Sequence, residues 1–339
     1  MSNQPITLGL IGAGRIGRVH AEHLCRRLPD VELVAVADVN EVAAKTCAAD
    51  FRIPSSTSDY RQLIADRRLQ AVVVCSSTDT HTEVIRAAAA AGKHIFCEKP
   101  IDPDLKRIDQ ALAAVREAAV ILQVGFNRRF DANFRRVRQA VAQGEIGEVH
   151  QLRITSRDPG PPPIEYVRRS GGIFMDMTIH DFDMARFLAG SEVEEIYASG
   201  SVRIDPAIGA AGDWDTATIM LKFANGAVGV IENSRRAVYG YDQRVEIFGS
   251  RGSIAADNNF PNSAVVSGPA NLYRDQPLNF FMDRYLDSYL QEMRDFLHAV
   301  RTDGPSPVSG EDGRAPVVMA LAARQSCELN RPVRLTEIG

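Results

Sequence analysis

Ile6-Thr7-Leu8-Gly9-Leu10-Ile11-Gly12-Ala13-Gly14-Arg15-Ile16-Gly17 decides how the first half of this chain folds. The apolar start has the composition of a strand buried on both faces, and it runs into a GxGxxG turn that opens a helix. Gly12 allows the tight turn, Gly14 lets a pyrophosphate approach the backbone, and Gly17 lets helix and strand pack closely. Backbone N–H groups at the start of the helix, where Arg15 and Ile16 lie, then face the phosphates.

A second apolar run, Val31 to Ala37, ends at Asp38, about 20 residues on, where an acidic side chain accepts hydrogen bonds from an adenosine ribose 2′-hydroxyl. The same carboxylate repels a 2′-phosphate. Val39-Asn40 brings no arginine to neutralise one, so NAD is expected over NADP. The competing reading of Asp38 is a helix N-cap after a strand.

Alternation continues through a helix around Glu41 to Asp50, a short strand before Pro54, a helix from Tyr60 to Asp66 and a strand from Ala71 to Cys75. An alanine-rich helix, Thr80 to Ala91, is closed by Gly92, and then come a strand His94 to Cys97, a helix Leu105 to Ala118 and a strand Ile121 to Val124. This rhythm predicts an α/β Rossmann domain, a doubly wound parallel sheet, over residues 1–125. Ligands of such sheets sit beyond the carboxyl ends of the strands, which brings Ser76, Ser77, Thr78, His81, Glu98 and Lys99 to the cofactor side. Lys99, pinned by Pro100, points its ammonium toward that crevice; the plain alternative is a solvated lysine beside Glu98. Arg128, after the last strand, is equally a ligand contact or a structural salt bridge.

Residues 126–339 read differently. Val149 to Ser156, Val193 to Ile204, Thr216 to Phe223, Ala227 to Ser234 and Arg244 to Phe248 are strand-like, and Asn225-Gly226 is a hairpin signal. Helices are expected near Asp176 to Leu188, Asn279 to Arg301 and Glu311 to Cys327, the last two packing back on the first domain. The expectation is an α+β domain with a large, mostly antiparallel open sheet, whose uncovered face suits a homo-oligomer. Asp158-Pro159-Gly160-Pro161-Pro162-Pro163 is too stiff for a central strand and reads as a connection, an active-site wall or a subunit contact.

Bulk composition narrows the partners. Hydrophobic residues make up 45% and charged ones 24%, with a formal net charge of -4, so no basic field is available for nucleic acid or anionic lipid. No apolar run reaches the length of a membrane span, and no signal-peptide pattern opens the chain, which makes the cytoplasm the expected location. The odd, scattered cysteines lack zinc spacing and read as free thiols, and no metal is expected.

The run Gly171-Gly172-Ile173-Phe174-Met175-Asp176-Met177-Thr178-Ile179-His180-Asp181-Phe182-Asp183 sets a carboxylate and an imidazole at i and i+4 in a helix-prone stretch. At that spacing both leave one helix face. A carboxylate beside a histidine suits proton transfer to and from an alcohol. The pair can equally be a surface ion pair or half of a metal site. Asp158, Tyr239, Tyr241 and Tyr285 are candidates to touch a hydroxylated substrate, against a loop cap for Asp158 and aromatic packing for the tyrosines.

With the glycine fingerprint, Glu98-Lys99-Pro100 and the Asp176/His180 pair in this order, the chain resembles the glucose-fructose oxidoreductase, inositol dehydrogenase and MocA family along essentially its whole length. Gly125-Phe126-Asn127-Arg128-Arg129-Phe130-Asp131, Ser156-Arg157-Asp158-Pro159 and Tyr239-Gly240-Tyr241-Asp242 look most like its inositol 2-dehydrogenases. The resemblance implies NAD-dependent oxidation of a cyclic polyol, myo-inositol first, in a homotetramer, with Lys99, Asp176 and His180 at the catalytic positions. A neutral imidazole near pH 7 makes His180 the natural base. Asp176 would orient it or grip a hydroxyl, and Lys99 would stabilise charge developing on the reacting oxygen.

Overall fold

The structure, a computed structural model, describes residues 4–338. It divides into two compact units: residues up to Asn127 with Asp287–Ala315, and Arg128–Leu286 with residues from Pro316 onward.

The first unit is built on a six-stranded parallel sheet in the order β3-β2-β1-β4-β5-β6. These strands are β1 (Ile6–Ile11), β2 (Val31–Ala37), β3 (Ser55–Thr57), β4 (Ala71–Val74), β5 (His94–Glu98) and β6 (Leu122–Gly125). Between them run α1 (Arg15–Arg26), α2 (Glu41–Phe51), α3 (Tyr60–Ile64), α4 (Thr78–Ala90) and α5 (Leu105–Ala118). The strand order reverses between β1 and β4, the topological switch point where open α/β sheets receive ligands. Leu8, Leu10, Val36, Val73 and Phe96 are buried in one cluster with Met293 and Phe296 from the C-terminal part of the unit. Each such side chain contributes roughly 1.5–3 kcal/mol by leaving water.

One strand differs from expectation. β3 follows Pro54 instead of preceding it, because Arg52 turns left-handed at the end of α2 and the Ile53 N–H bonds back to the Ala48 carbonyl. Pairing with β2 therefore starts at Ser55, past the residue that has no N–H to give.

The second unit carries a seven-stranded sheet in the order β12-β11-β7-β10-β9-β8-β15. Its strands are β7 (Val149–Arg157), β8 (Val193–Ser201), β9 (Thr216–Phe223), β10 (Val228–Ser234), β11 (Asp242–Gly249), β12 (Gly252–Ala256) and β15 (Val333–Arg334), while β13 (Val265–Ser267) and β14 (Leu272–Arg274) pair separately. Only the β7/β10 pair is parallel; the other pairs are antiparallel. Along β9, Ala217, Ile219, Leu221 and Phe223 are buried while Thr218, Met220 and Lys222 are exposed, the period of two that leaves one face wet. Gly226 takes the left-handed conformation in the Asn225-Gly226 turn between β9 and β10.

The strand expected to reach Ile204 stops at Ser201, because the Asp215 carboxylate captures the N–H groups of Arg203, Ile204 and Asp205. A helix that hydrophobic patterning had not singled out, α6 (Ala132–Ala142), starts on an Asp131 N-cap and buries Phe134, Val137 and Ala140. After the short α7 (Ile164–Val167), the helix expected from Asp176 begins earlier, as a π-helical turn at Phe174–Thr178, and continues as the α-helix α8 (Ile179–Ala189).

Candidate active site

In the first unit, the loop after β1 is made almost entirely of backbone. Gly12 has φ +100, and a Cβ there would stand 2.4 Å from the Cys75 carbonyl carbon; one on Gly17 would stand 2.0 Å from the Gly12 oxygen. Gly14 differs, since a Cβ there would meet nothing within 4 Å. Two glycines are thus packed against protein and one faces open space, the arrangement a pyrophosphate needs above a helix start. Arg15 is exposed and Ile16 half-buried at that start.

Asp38 accepts hydrogen bonds from the Ala13 N–H at 2.7 Å and the Asn40 N–H at 2.8 Å. It is not the N-cap of α2: Asn40 is, accepting from Val42 and Ala43. The Asp38 carboxylate braces the glycine loop and keeps lone pairs for a ribose. The residues present therefore fit a dinucleotide.

Beyond β4, the Ser76 and Thr80 hydroxyls lie 2.7 Å apart, and Ser77 and Thr78 open α4. His81 is buried, with Nδ1 2.8 Å from the Pro100 carbonyl and Nε2 3.0 Å from the Ser76 carbonyl. Each ring nitrogen lies within hydrogen-bond distance of a backbone carbonyl, so His81 bridges the loops that follow β4 and β5. Lys99 follows β5 directly, and its peptide bond to Pro100 is cis. Burial pushes the Cys75 and Cys97 thiols well above their usual range, which leaves them as poor nucleophiles.

In the second unit, Asp176 lies in the π-helical turn and His180 in the first turn of α8, both half-buried. π-turns of this kind recur at functional sites. Gly171 and Gly172, both at positive φ, lead the chain in, and a Cβ on Gly172 would lie 2.7 Å from Asp213 Oδ1, which accepts from the Ile173 N–H. Asp176 accepts from the Tyr166 hydroxyl at 2.8 Å and from Arg235 Nη1 at 3.1 Å. Arg235, at 1% exposed, also faces Asp213 at 3.6 Å.

Two further ion pairs brace the histidine helix. Arg128 donates to Asp181 at 2.6 Å, and Arg129 grips Asp183 with both ends of its guanidinium. Asn233 donates to Asp181 and accepts from the Thr178 hydroxyl. The residues on either side of His180 are therefore locked from β10 and from the 3₁₀ turn Asn127–Phe130.

Several of the expected substrate residues take part in such contacts. Arg128, 5% exposed, is the salt-bridge partner of Asp181 and also reaches the Tyr241 hydroxyl, and Tyr285 is 2% exposed against Gln243. Tyr239 donates to Asp242 and accepts from Arg157. All three have partners within the protein. Asp158 remains a candidate: burial pushes its carboxyl up to about 6, with the positive fields of Arg235 and Arg128 set against those of Asp176 and Asp181. Arg235 and Tyr166 escaped the reading of the sequence; a pair of arginines closing the apolar strand β10 was the available signal for the first.

A dinucleotide loop and a braced carboxylate–imidazole helix are the parts of an NAD-binding oxidoreductase. Residues 6–126 match the family model of the oxidoreductase family with an NAD-binding Rossmann fold, and residues 134–255 match the GFO/IDH/MocA C-terminal domain. The chain belongs to the Gfo/Idh/MocA oxidoreductase family.

It is 50% identical to the myo-inositol 2-dehydrogenase of Thermotoga maritima over 98% of this chain and 99% of that one. The crystal structure of a myo-inositol dehydrogenase from Corynebacterium glutamicum aligns with TM-score 0.93 at 37% identity, covering 98% of this chain and 99% of the other. A scyllo-inositol dehydrogenase from Lactobacillus casei, solved with NAD(H) and scyllo-inositol bound, aligns with TM-score 0.92 at 28% identity over 98% and 100%.

Proposed function

We propose that the chain is an NAD-dependent inositol 2-dehydrogenase that oxidises the secondary alcohol of myo-inositol to 2-keto-myo-inositol. The observation that carries this reading is the Asp176 carboxylate, held by Tyr166 and the buried Arg235 one turn ahead of His180, in a chain half identical to a myo-inositol 2-dehydrogenase. NAD, when bound, supplies the acceptor for the hydride that leaves the carbinol carbon. His180 takes the hydroxyl proton as that bond breaks. Lys99 donates a hydrogen bond to the same oxygen and stabilises the charge that develops there. Asp176, fixed in place by its two donors, orients a ring hydroxyl and favours the imidazolium as it forms, and Asp158 contributes to the polyol side.

We also propose a homotetramer in the cytoplasm, serving polyol catabolism. Met220, Val228 and Phe248 on the uncovered sheet face support association, and the free cysteines suit a reducing compartment.

A panel of inositol isomers, glucose and xylose, assayed for NADH or NADPH appearance with each cofactor, tests the reading. The expected result is turnover with NAD and myo-inositol ahead of the other polyols. NAD binding without turnover on any polyol would instead make the chain a dinucleotide sensor and sink the proposal.

A further inference from the structure

The two oxygens of the Asp176 carboxylate are held by very different partners. Oδ2 accepts from Nη1 of Arg235, which is 1% exposed, whereas Oδ1 accepts at 2.8 Å from the hydroxyl of Tyr166, which is 51% exposed. Arg235 alone already supplies a buried counter-charge, and fixing a carboxylate does not call for a half-exposed aromatic ring. That exposure leaves the phenol within reach of a ligand.

The segment that carries Tyr166 is stiff and fastened at both ends. Pro161, Pro162 and Pro163 restrict φ at three successive residues, and Pro163, at φ -55 and ψ 142, lies close to polyproline II geometry. The single turn of α7 follows, with the Tyr166 N–H bonded to the Pro163 carbonyl and Val167 buried. At the start of the same segment, the Asp158 N–H donates to the Ser234 carbonyl and the Asp158 carbonyl accepts from the Ala237 N–H, on either side of Arg235 in sequence. A preorganised loop loses little freedom when a ligand arrives, so a contact made from it is favourable to binding.

Chemistry sets what that contact recognises. A phenol has one proton, and Tyr166 gives it to Asp176, so toward a substrate hydroxyl its oxygen acts as an acceptor. The Asp176 carboxylate is an acceptor as well. Two acceptors 2.8 Å apart match the separation of the oxygens of neighbouring hydroxyls on a ring, each of which brings one donor.

We propose that Tyr166 is a specificity-determining residue of the alcohol site, its phenol oxygen and Asp176 Oδ1 together accepting the two hydroxyls of a vicinal diol. The substrate class selected is then a cyclic polyol with a free hydroxyl beside the one that Asp176 holds. The inference rests on the reading that Asp176 meets a polyol.

The test measures kcat and KM of the parent and of Tyr166→Phe, as full-length enzymes with NAD, on myo-inositol and on its monodeoxy analogues, each lacking one ring hydroxyl. In the parent, the analogue without the hydroxyl that Tyr166 accepts should lose about tenfold in kcat/KM, the scale of one hydrogen bond. Y166F should lose about tenfold on myo-inositol, mainly through KM, and nothing further on that analogue, because both changes delete the same bond. Analogues deoxygenated elsewhere should lose as much again in Y166F as in the parent. The dissociation constant for NAD and the melting temperature should hold, since the atom removed belongs to an exposed side chain.

A Y166F that falls by one common factor on every analogue overturns the proposal, because Tyr166 would then act only through Asp176. A Y166F as active as the parent on myo-inositol overturns it too. Asp176→Asn separates the two layers. A parent that oxidises no polyol, or a D176N with full turnover, rejects the reading of the site itself, whereas an impaired D176N beside a uniform loss in Y166F rejects only the part given to Tyr166.

Discussion

The two functional regions are made of different material. Around Gly12–Gly17 the protein presents backbone N–H groups, and the side chains matter mainly by being absent. Around Asp176 and His180 it presents side chains whose placement depends on partners from distant segments: Arg235 from the end of β10, Tyr166 from the short helix Ile164–Val167 after β7, Arg128 and Arg129 from the turn after β6. A cradle of the first kind is specified by a few adjacent residues. A site of the second kind is specified by the whole sheet beneath it.

Variants can break each kind in its own way. His180→Ala leaves the cradle alone and removes the base, so turnover should drop about 10²- to 10⁴-fold while NAD titration is unchanged; near-normal turnover would take His180 out of the mechanism. Arg235→Met keeps the bulk of a buried side chain and deletes the cation that Asp176 and Asp213 share. Urea unfolding should find it about 3–5 kcal/mol less stable, the usual cost of orphaning a buried charge. A variant as stable as the parent would mean that the carboxylates hold themselves.

The cradle can be split further. Gly12→Ala forces a Cβ into the Cys75 carbonyl at positive φ and should destabilise the fold by more than about 1 kcal/mol. Gly14→Ala meets no protein atom, so its melting temperature should match the parent while NAD binds about tenfold more weakly, or about 1.4 kcal/mol. Equal NAD affinity in G14A would argue against a pyrophosphate above that residue.

The one pH-dependent effect belongs to Asp158. Its carboxyl is pushed up to about 6 in the folded protein, against about 3.9 for an unfolded aspartate. The folded form therefore holds the proton more tightly, and the stability tied to it is present below about pH 4 and lost as pH rises through about 6. Asp158→Asn never ionises. Its melting temperature should exceed the parent's at pH 8, with the gap closing between about pH 6 and pH 4. A gap that persists in acid would place the cause elsewhere than ionisation.

Most of the first unit was legible from residue order. Strands buried on both faces are continuous apolar runs, and helices between them carry their own stop signals, so Leu105–Ala118 forms as expected. The site was legible only in part. The spacing of Asp176 and His180 identified the pair, but the turn that holds Asp176 is π-helical. Asp38 and Asn40 divide two tasks, bracing the glycine loop and capping α2, that a sequence with both residues two apart does not assign. The protein partners of Tyr239 and Tyr285, Asp242 and Gln243, were not legible either, because they follow from the strand register and the packing of distant segments.

Residue order by itself determined where the dinucleotide loop lies, which residues alternate across the second sheet and which carboxylate stands one helical turn from His180. These depend on local conformation and on periods of two and 3.6 residues, which act between near neighbours. Only the tertiary structure decided that Arg235 holds Asp176 and that Arg128 pairs with Asp181. Those partners are far apart along the chain, and a buried charge takes whichever counter-charge or proton the packed fold leaves within reach.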